Sequence, residues 1–266
     1  MNAEIAEARS AERGASRACG QAGSSVLLRA GSVTGREHLR LGRNNQDGAA
    51  LLERDGLFVA VVTDGCGSGP SSEVGARLGA RFLARRILSE AQRHGLSSEL
   101  PTRVCESLVS FLFTVARGLD LEGESLGDDV AQQFLFTFQC AVMDGEKALV
   151  FGVGDGVVVV DGVVRVLQPG ADNAPAYLAY RLVPQARLPM DFRAAAATAP
   201  VVHHFGPARS IALATDGLAG ATEALLALSA DANVWKNPFA LGRALNVLGP
   251  RLHDDSTVAL LKRSLP

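Results

Sequence analysis

LFVAVVTDGCGSG (Leu57–Gly69) is a continuous apolar run that stops on Thr-Asp-Gly and passes into small residues, and SIALATDGLAG (Ser210–Gly220) repeats the pattern. A run that is apolar on both faces reads as a buried strand, and the small residues after it lead toward a helix. Each stretch therefore carries one carboxylate, Asp64 or Asp216, to the end of a buried strand. An ionised carboxylate at the edge of a core is costly unless a cation or strong donors offset it. A metal site is the economical reading.

Asp-Gly is also a common hairpin signal. Asp55-Gly56, Asp144-Gly145 and Asp161-Gly162 each join two strand-like runs, so they read as turns. At Asp64 and Asp216 no second strand follows, which sets these two pairs apart.

Working outward, strands are expected at Ser24–Val33, Ala49–Glu53 and Leu57–Thr63. From Ser71 the apolar residues Val74, Leu78, Phe82, Leu83, Ile87 and Leu88 recur at helical spacing, with Ser71 or Ser72 as cap and an end near His94-Gly95. A second helix follows Pro101, with Val104, Leu108, Phe111, Leu112 and Val115 as its stripe and Gly118 as its stop. Asp128-Asp129 reads as a solvated loop.

Phe134–Met143, Lys147–Val153, Val157–Val160 and Val163–Leu167 read as an antiparallel meander, and a Pro- and Ala-rich loop spans Gln168–Ala199. Strands at Val201–Phe205 and Ser210–Thr215, helices near Thr222–Leu228 and Phe239–Leu248, and a last strand Ser256–Lys262 complete the pattern. Antiparallel sets of strands with helices grouped between them argue for an α+β fold with helices outside two sheets.

The chain has 266 residues, 47% hydrophobic and 20% charged, which suits one large domain. Its net charge of −2 and scattered basic residues argue against nucleic acid as a partner. No apolar run approaches a membrane span, and the first 24 residues form a polar tail without the apolar core of a signal peptide. Cys19, Cys66, Cys105 and Cys140 form no CxxC pair, consistent with free thiols in the cytoplasm.

Five acids share a setting at strand ends or glycine-rich turns: Asp47, Asp64, Asp155, Asp216 and Asp254. Mg²⁺ and Mn²⁺ prefer such oxygen ligands. Competing signals are weaker. Cys66 lacks the C-x5-R loop of a cysteine nucleophile, GCGSGPSS lacks the Lys-Ser/Thr ending of a P-loop, and His203-His204 in one strand point to opposite faces. His253 reads as a strand-edge residue, and Asp255 is expected to face away from Asp254.

GREHLRLGRNNQDG (from Gly35), FVAVVTDGCGSG (from Phe58), VFGVGDG (from Val150), IALATDGLAG (from Ile211) and HDDSTVALL (from His253) together resemble the metal-dependent type 2C Ser/Thr protein phosphatases. The match covers about Val26 to Leu261, and the wording is closest to a divergent bacterial branch with Gly35, His38, Gly42, Gln46 and Asp47 in its opening. The resemblance implies a four-layer α-β-β-α sandwich, two antiparallel sheets flanked by helix pairs, over residues 25–266. It implies a centre of two Mn²⁺ or Mg²⁺ ions. Asp64 bridges both, the Gly65 carbonyl holds one, Asp216 and Asp254 complete the other's shell, and Asp155 is the candidate for a weaker third ion. Asp47 orients the attacking water, and His38 orients the opening motif.

Where many members carry His after Asp64-Gly65, this chain has Cys66, a poor acid-base substitute at neutral pH. Gln46 replaces a frequent Glu, and Arg43 lies one place from the family's phosphate-gripping Arg. The expected activity is hydrolysis of phosphoserine or phosphothreonine in a protein, opposite a Ser/Thr kinase. Two alternatives stay open, a phosphatase-like binding module with little turnover and a small-molecule phosphomonoesterase.

Overall fold

The structure, a computed structural model, describes residues 26–121, 126–170, 175–188, 193 and 198–264. The expected tail, 1–24, lies outside these residues. The first half runs β1 (Val26–Val33), α1 (Arg36–Leu41), β2 (Gly48–Arg54), β3 (Leu57–Gly65), α2 (Ser72–His94), α3 (Leu100–Gly118) and α4 (Leu126–Gln133). Four strands follow: β4 (Phe136–Met143), β5 (Ala148–Val153), β6 (Gly156–Val160) and β7 (Val163–Leu167). The chain closes with β8 (Val201–Gly206), β9 (Ser210–Ala214), α5 (Thr222–Ala230), α6 (Ala232–Lys236), α7 (Ala240–Leu248) and β10 (Ser256–Arg263).

All strand pairs are antiparallel, in two five-stranded sheets ordered β1-β10-β9-β6-β7 and β2-β3-β4-β5-β8. The side-chain period of two divides each buried strand between two cores. In β3, Val59 and Val61 point outward to α2 and α3, where they meet Leu83, Ile87 and Leu108. Phe58, Ala60 and Val62 point the other way and meet Val158, Leu213 and Ala259 of the facing sheet. Val157, Ala212 and Leu260 turn outward again, onto Leu225, Leu241 and Leu245 of α5 and α7. The result is the four-layer α+β sandwich. Each fully buried Val, Leu or Phe contributes about 1.5–3 kcal/mol of burial, so continuous apolar strands are what a doubly covered sheet requires.

Two Asp-Gly hairpins form as the sequence suggests. Asp55 and Gly56 have φ of 52° and 74°, and Asp161 and Gly162 have 48° and 84°, the left-handed pair of a type I′ turn. At Asp144 the side chain instead closes the turn, its Oδ1 accepting from the amides of Glu146 at 2.7 Å and Lys147 at 2.6 Å.

Three expectations need correction. The four strands from β4 to β7 are no single meander, because β4 and β5 lie in one sheet and β6 and β7 in the other. Gly154 (φ 86°) and Gly156 (φ 133°) give the chain the freedom to cross between sheets at Asp155. Asp128 and Asp129 stand in the first turn of α4, where their charge complements the helix dipole, so that segment is helical. The described part of the 168–199 loop contains two short 3-10 turns, at Leu178–Leu182 and Gln185–Arg187. No described helix is long and apolar enough to cross a membrane.

Candidate metal centre

Strand ends at one edge of the sandwich deliver the acids. Asp64 is the penultimate residue of β3, Asp155 sits in the crossing between β5 and β6, Asp216 opens a 3-10 turn just past β9, and Asp254 precedes β10. These four line one cleft of about 310 Å³ together with Gly65, Cys66, Gly67, Ser68, Thr137 and Tyr177. Asp64 and Asp216 come within hydrogen-bonding reach of each other. Asp47 is buried just before β2 and is close enough to Asp64 to repel it.

The described residues lining this cleft include no Lys, Arg or His. Burial, then the charges of Asp47 and Asp216, push Asp64 well above the usual carboxylate range. Burial also raises Asp47, against the hydrogen bond from Thr215 that favours its ionised form. Burial, with Asp216 beside it, lifts Asp155 to about 6, although the Thr137 hydroxyl donates to it. Asp254 is raised too, first by burial. Crowded carboxylates without a cation disfavour their own charged forms, and a divalent cation inverts that balance.

One atom tests whether a cation fits. Asp47 Oδ2 accepts from Thr215 Oγ1 at 2.9 Å, while Asp47 Oδ1 is buried with no hydrogen-bond partner. An orphaned oxygen on a buried carboxylate that lies close to Asp64, Asp254 and Asp255 is chemically suited to a hard divalent ion or its water shell.

A second network holds the acids in register. Asp255 is buried, its Oδ1 accepting from Gly35 N at 2.7 Å and its Oδ2 from Gln46 N at 2.6 Å. Asp255 Oδ2 also lies 2.8 Å from His38 Nδ1. One carboxylate thus fastens both ends of the opening motif to the start of β10. Potential ligand atoms of His38, Asp254 and Asp255 fall within 4.8 Å of one another. Asp255 has its oxygens filled by three protein donors, so this group is a clasp beside the cleft, and Asp254 is its member facing the cleft. The approach is close: a Cβ on Gly35 would lie 2.2 Å from the carbonyl carbon of Asp254, and one on Gly217 would lie 2.1 Å from Asp255 O.

The remaining residues singled out from the sequence fall around this centre. Arg43 is exposed and donates from Nη1 to Gly67 O at 2.8 Å, tying the opening motif to the Cys66–Gly69 loop. Gln46 donates from Nε2 to Gly69 O at 2.6 Å on the same loop, and its Oε1 is buried without a partner. Cys66 is half-buried in the cleft, its Sγ 3.1 Å from Ser68 Oγ and within hydrogen-bonding reach of Tyr177. Cys66, Cys105 and Cys140 are free thiols, while Cys19 lies outside the described residues. His203 bonds Gln139 Oε1 at 3.1 Å, whereas His204 bonds Gly206 O and Pro207 O, each at 3.2 Å, so the two rings serve different partners.

Sequence reasoning missed Thr137, Tyr177 and the clasping role of Asp255. Thr137 had a readable signal: it is a hydroxyl interrupting the apolar run FLFTFQCAVM, and in register it faces Asp64 across the β3–β4 pair.

The sequence matches the protein phosphatase 2C family over residues 34–240. No curated protein sequence is a significant match. Among solved structures, the fold is similar to that of a bacterial serine phosphatase, at 13% identity and a TM-score of 0.55, covering 90% of this chain and 98% of that one. It is also similar to the serine/threonine phosphatase Stp1 from Staphylococcus aureus, at 12% identity and a TM-score of 0.56, covering 94% and 100% of the two chains. A C. elegans sex determining protein shares the fold at 15% identity and a TM-score of 0.58, covering 90% of this chain and 65% of that one. At these identities the likeness speaks to the fold alone.

Proposed function

The chain belongs to the protein phosphatase 2C family, and we propose from that premise that it removes phosphate from phosphoserine or phosphothreonine in a protein, using Mn²⁺ or Mg²⁺. The observation that carries this reading is the cleft itself. Four aspartates from four separate elements line it with no described cationic side chain among them, and a fifth, Asp47, close enough to Asp64 to repel it, keeps one buried oxygen without a partner. Two divalent cations held there would supply a metal-activated water as nucleophile at neutral pH and charge to neutralise the phosphoryl oxygens.

This chain's residues divide the remaining work. Asp64, Asp216, Asp254 and the Gly65 carbonyl would hold the two ions, and Asp155 a weaker third. Asp47, fixed through one oxygen by Thr215, uses the other to orient the attacking water. Thr137 steadies Asp155 by donating to its carboxylate. Arg43 stands exposed beside the Cys66–Gly69 loop, and apart from its bond to Gly67 O its guanidinium makes no hydrogen bond among the described residues, so it is available to a phosphate. A Ser/Thr kinase is the expected opposing activity.

The test is turnover of a phosphothreonine peptide and of para-nitrophenyl phosphate, with Mn²⁺ or with chelator. Activity that needs metal and is lost in Asp64→Asn and Asp216→Asn supports the reading. Mn²⁺ binding without turnover favours a phosphatase-like binding module. Hydrolysis of small phosphomonoesters but not of phosphopeptides favours a metabolite phosphomonoesterase.

A further inference from the structure

β1 pairs only with β10, and β2 only with β3, so each ends its sheet with one face of backbone N–H and C=O groups unpaired by a described strand. The two free edges lie on the same side of the sandwich, and the hollow between them measures about 730 Å³. It shares Ala49 and Arg81 with a second hollow of about 370 Å³ that reaches Asp47, at the catalytic end.

α2 forms one wall and runs in the same direction as β2. A Cβ at Gly48 would lie 3.0 Å from Ala76 O, and further along Gln92 Nε2 donates to Asp55 Oδ2 at 2.7 Å. Along this wall Arg77, Arg81 and Arg85 follow one another at four-residue spacing, all exposed. Arg81 and Arg85 make no hydrogen bond or ion pair among the described residues, and Arg77 bonds only the Asn45 carbonyl, at 2.7 Å. Arg29, from β1, bonds the carbonyls of Val234 at 3.0 Å, Leu28 at 2.8 Å and Trp235. Four guanidinium charges thus border the groove without a carboxylate partner. No acidic residue lines the larger hollow among the described residues, and Asp47 is the acid of the smaller one.

Geometry selects the kind of anion. Four residues of helix advance about 6 Å, and two residues of strand advance about 6.6 Å. Three arginines at this spacing match acidic side chains on alternate residues of an extended chain, whose backbone meets the free edge of a strand. A nucleic acid would need a broader basic surface than one helical stripe on a chain of net charge −2.

We propose that the β1–β2 side of the sandwich docks an extended, acidic segment of the phosphoprotein substrate and leads it to the carboxylate cleft. This rests on the phosphatase reading for the segment's origin, though docking itself needs no turnover.

The test is fluorescence anisotropy of a labelled, unphosphorylated peptide of alternating Glu and Val with the full chain, comparing Arg81→Glu/Arg85→Glu and the milder Arg81→Gln/Arg85→Gln. Salt-sensitive binding is expected, weakened by about tenfold in the charge reversal and less in the neutral pair. For a phosphopeptide carrying the same segment, KM rises by a similar factor while kcat and para-nitrophenyl phosphate turnover hold. Equal binding by parent and both variants overturns the proposal. So does equal binding of a peptide with its Glu and Val residues in separate blocks, which makes charge alone sufficient. Binding of single-stranded DNA or tripolyphosphate at these arginines without peptide binding overturns it as well. If the peptide binds and the variants lose it while the parent hydrolyses no phosphoester, docking stands and the phosphatase reading fails.

Discussion

Asp64 concentrates the electrostatics of the site, because burial and three neighbouring carboxylates, Asp47, Asp216 and Asp155, all oppose its charge. Removing that charge relieves repulsion, so in chelator Asp64→Asn is expected to melt higher than the parent. A gain of roughly 1 kcal/mol corresponds to about 2–4 °C in a chain of this size. A lower melting temperature by calorimetry would contradict the carboxylate cluster. Asp155 gives the matching pH dependence. Its folded pKa of about 6 stands above the 3.8 of the free group, so between those values the folded state binds more protons than the unfolded one. Its stabilising contribution is therefore present below pH 3.8 and lost as pH rises through about 6. In chelator, the stability difference between Asp155→Asn and the parent should shift in the variant's favour across that window. A difference that stays flat with pH would show that Asp155 titrates normally.

At the scale of elements, Asp255 joins the start of β10 to both ends of the opening motif through three contacts. Asp255→Ala strands Gly35 N, Gln46 N and His38 together, and since a buried unsatisfied group costs about 1–3 kcal/mol, a loss of about 3 kcal/mol or more is expected. Urea unfolding measures it, and a loss under about 1 kcal/mol would mean that these contacts are incidental. This clasp was only half legible in the sequence. The alternation argument separated Asp255 from Asp254, and His38 was tied to the opening motif only through family resemblance. That the two meet depends on pairing between residues more than two hundred positions apart, for which no local pattern exists. The helices α2 and α3 were readable because their apolar residues keep a helical period, though the buried face of α2 runs through Gly75, Ala76, Gly79, Ala80 and Leu83 and leaves Val74 and Leu78 of the expected stripe exposed; β3 was readable because it is apolar on both faces. The β5–β6 crossing was not, since a short glycine-rich turn between apolar runs looks the same whether the chain folds back on one sheet or passes to the next. Gly154 and Gly156 permit the second outcome, and covering both sheets with helices makes it favourable.

For the whole molecule, the apolar cores and the acidic cleft are divided in space. Three apolar layers hold the sandwich together, while the acids gather at one end of the strands, where burial and their mutual repulsion disfavour their charged forms. The five acids were legible one by one as candidates, Asp47, Asp64, Asp155 and Asp216 each before a glycine and Asp254 just before a strand. Their convergence was not, because it arises from two sheets stacking so that the ends of β3 and β9, the start of β10 and the β5–β6 crossing all lie at the same edge. A ligand that binds only the folded state stabilises it by mass action. The central claim is therefore tested most directly by calorimetric titration of Mn²⁺ into the metal-free full chain and into Asp64→Asn. Two tightly coupled equivalents are expected for the parent, with a rise in melting temperature, and binding lost or severely weakened in the variant. A parent chain that takes up no Mn²⁺, or an Asp64→Asn chain that binds it as well as the parent, would contradict a metal centre built on these carboxylates.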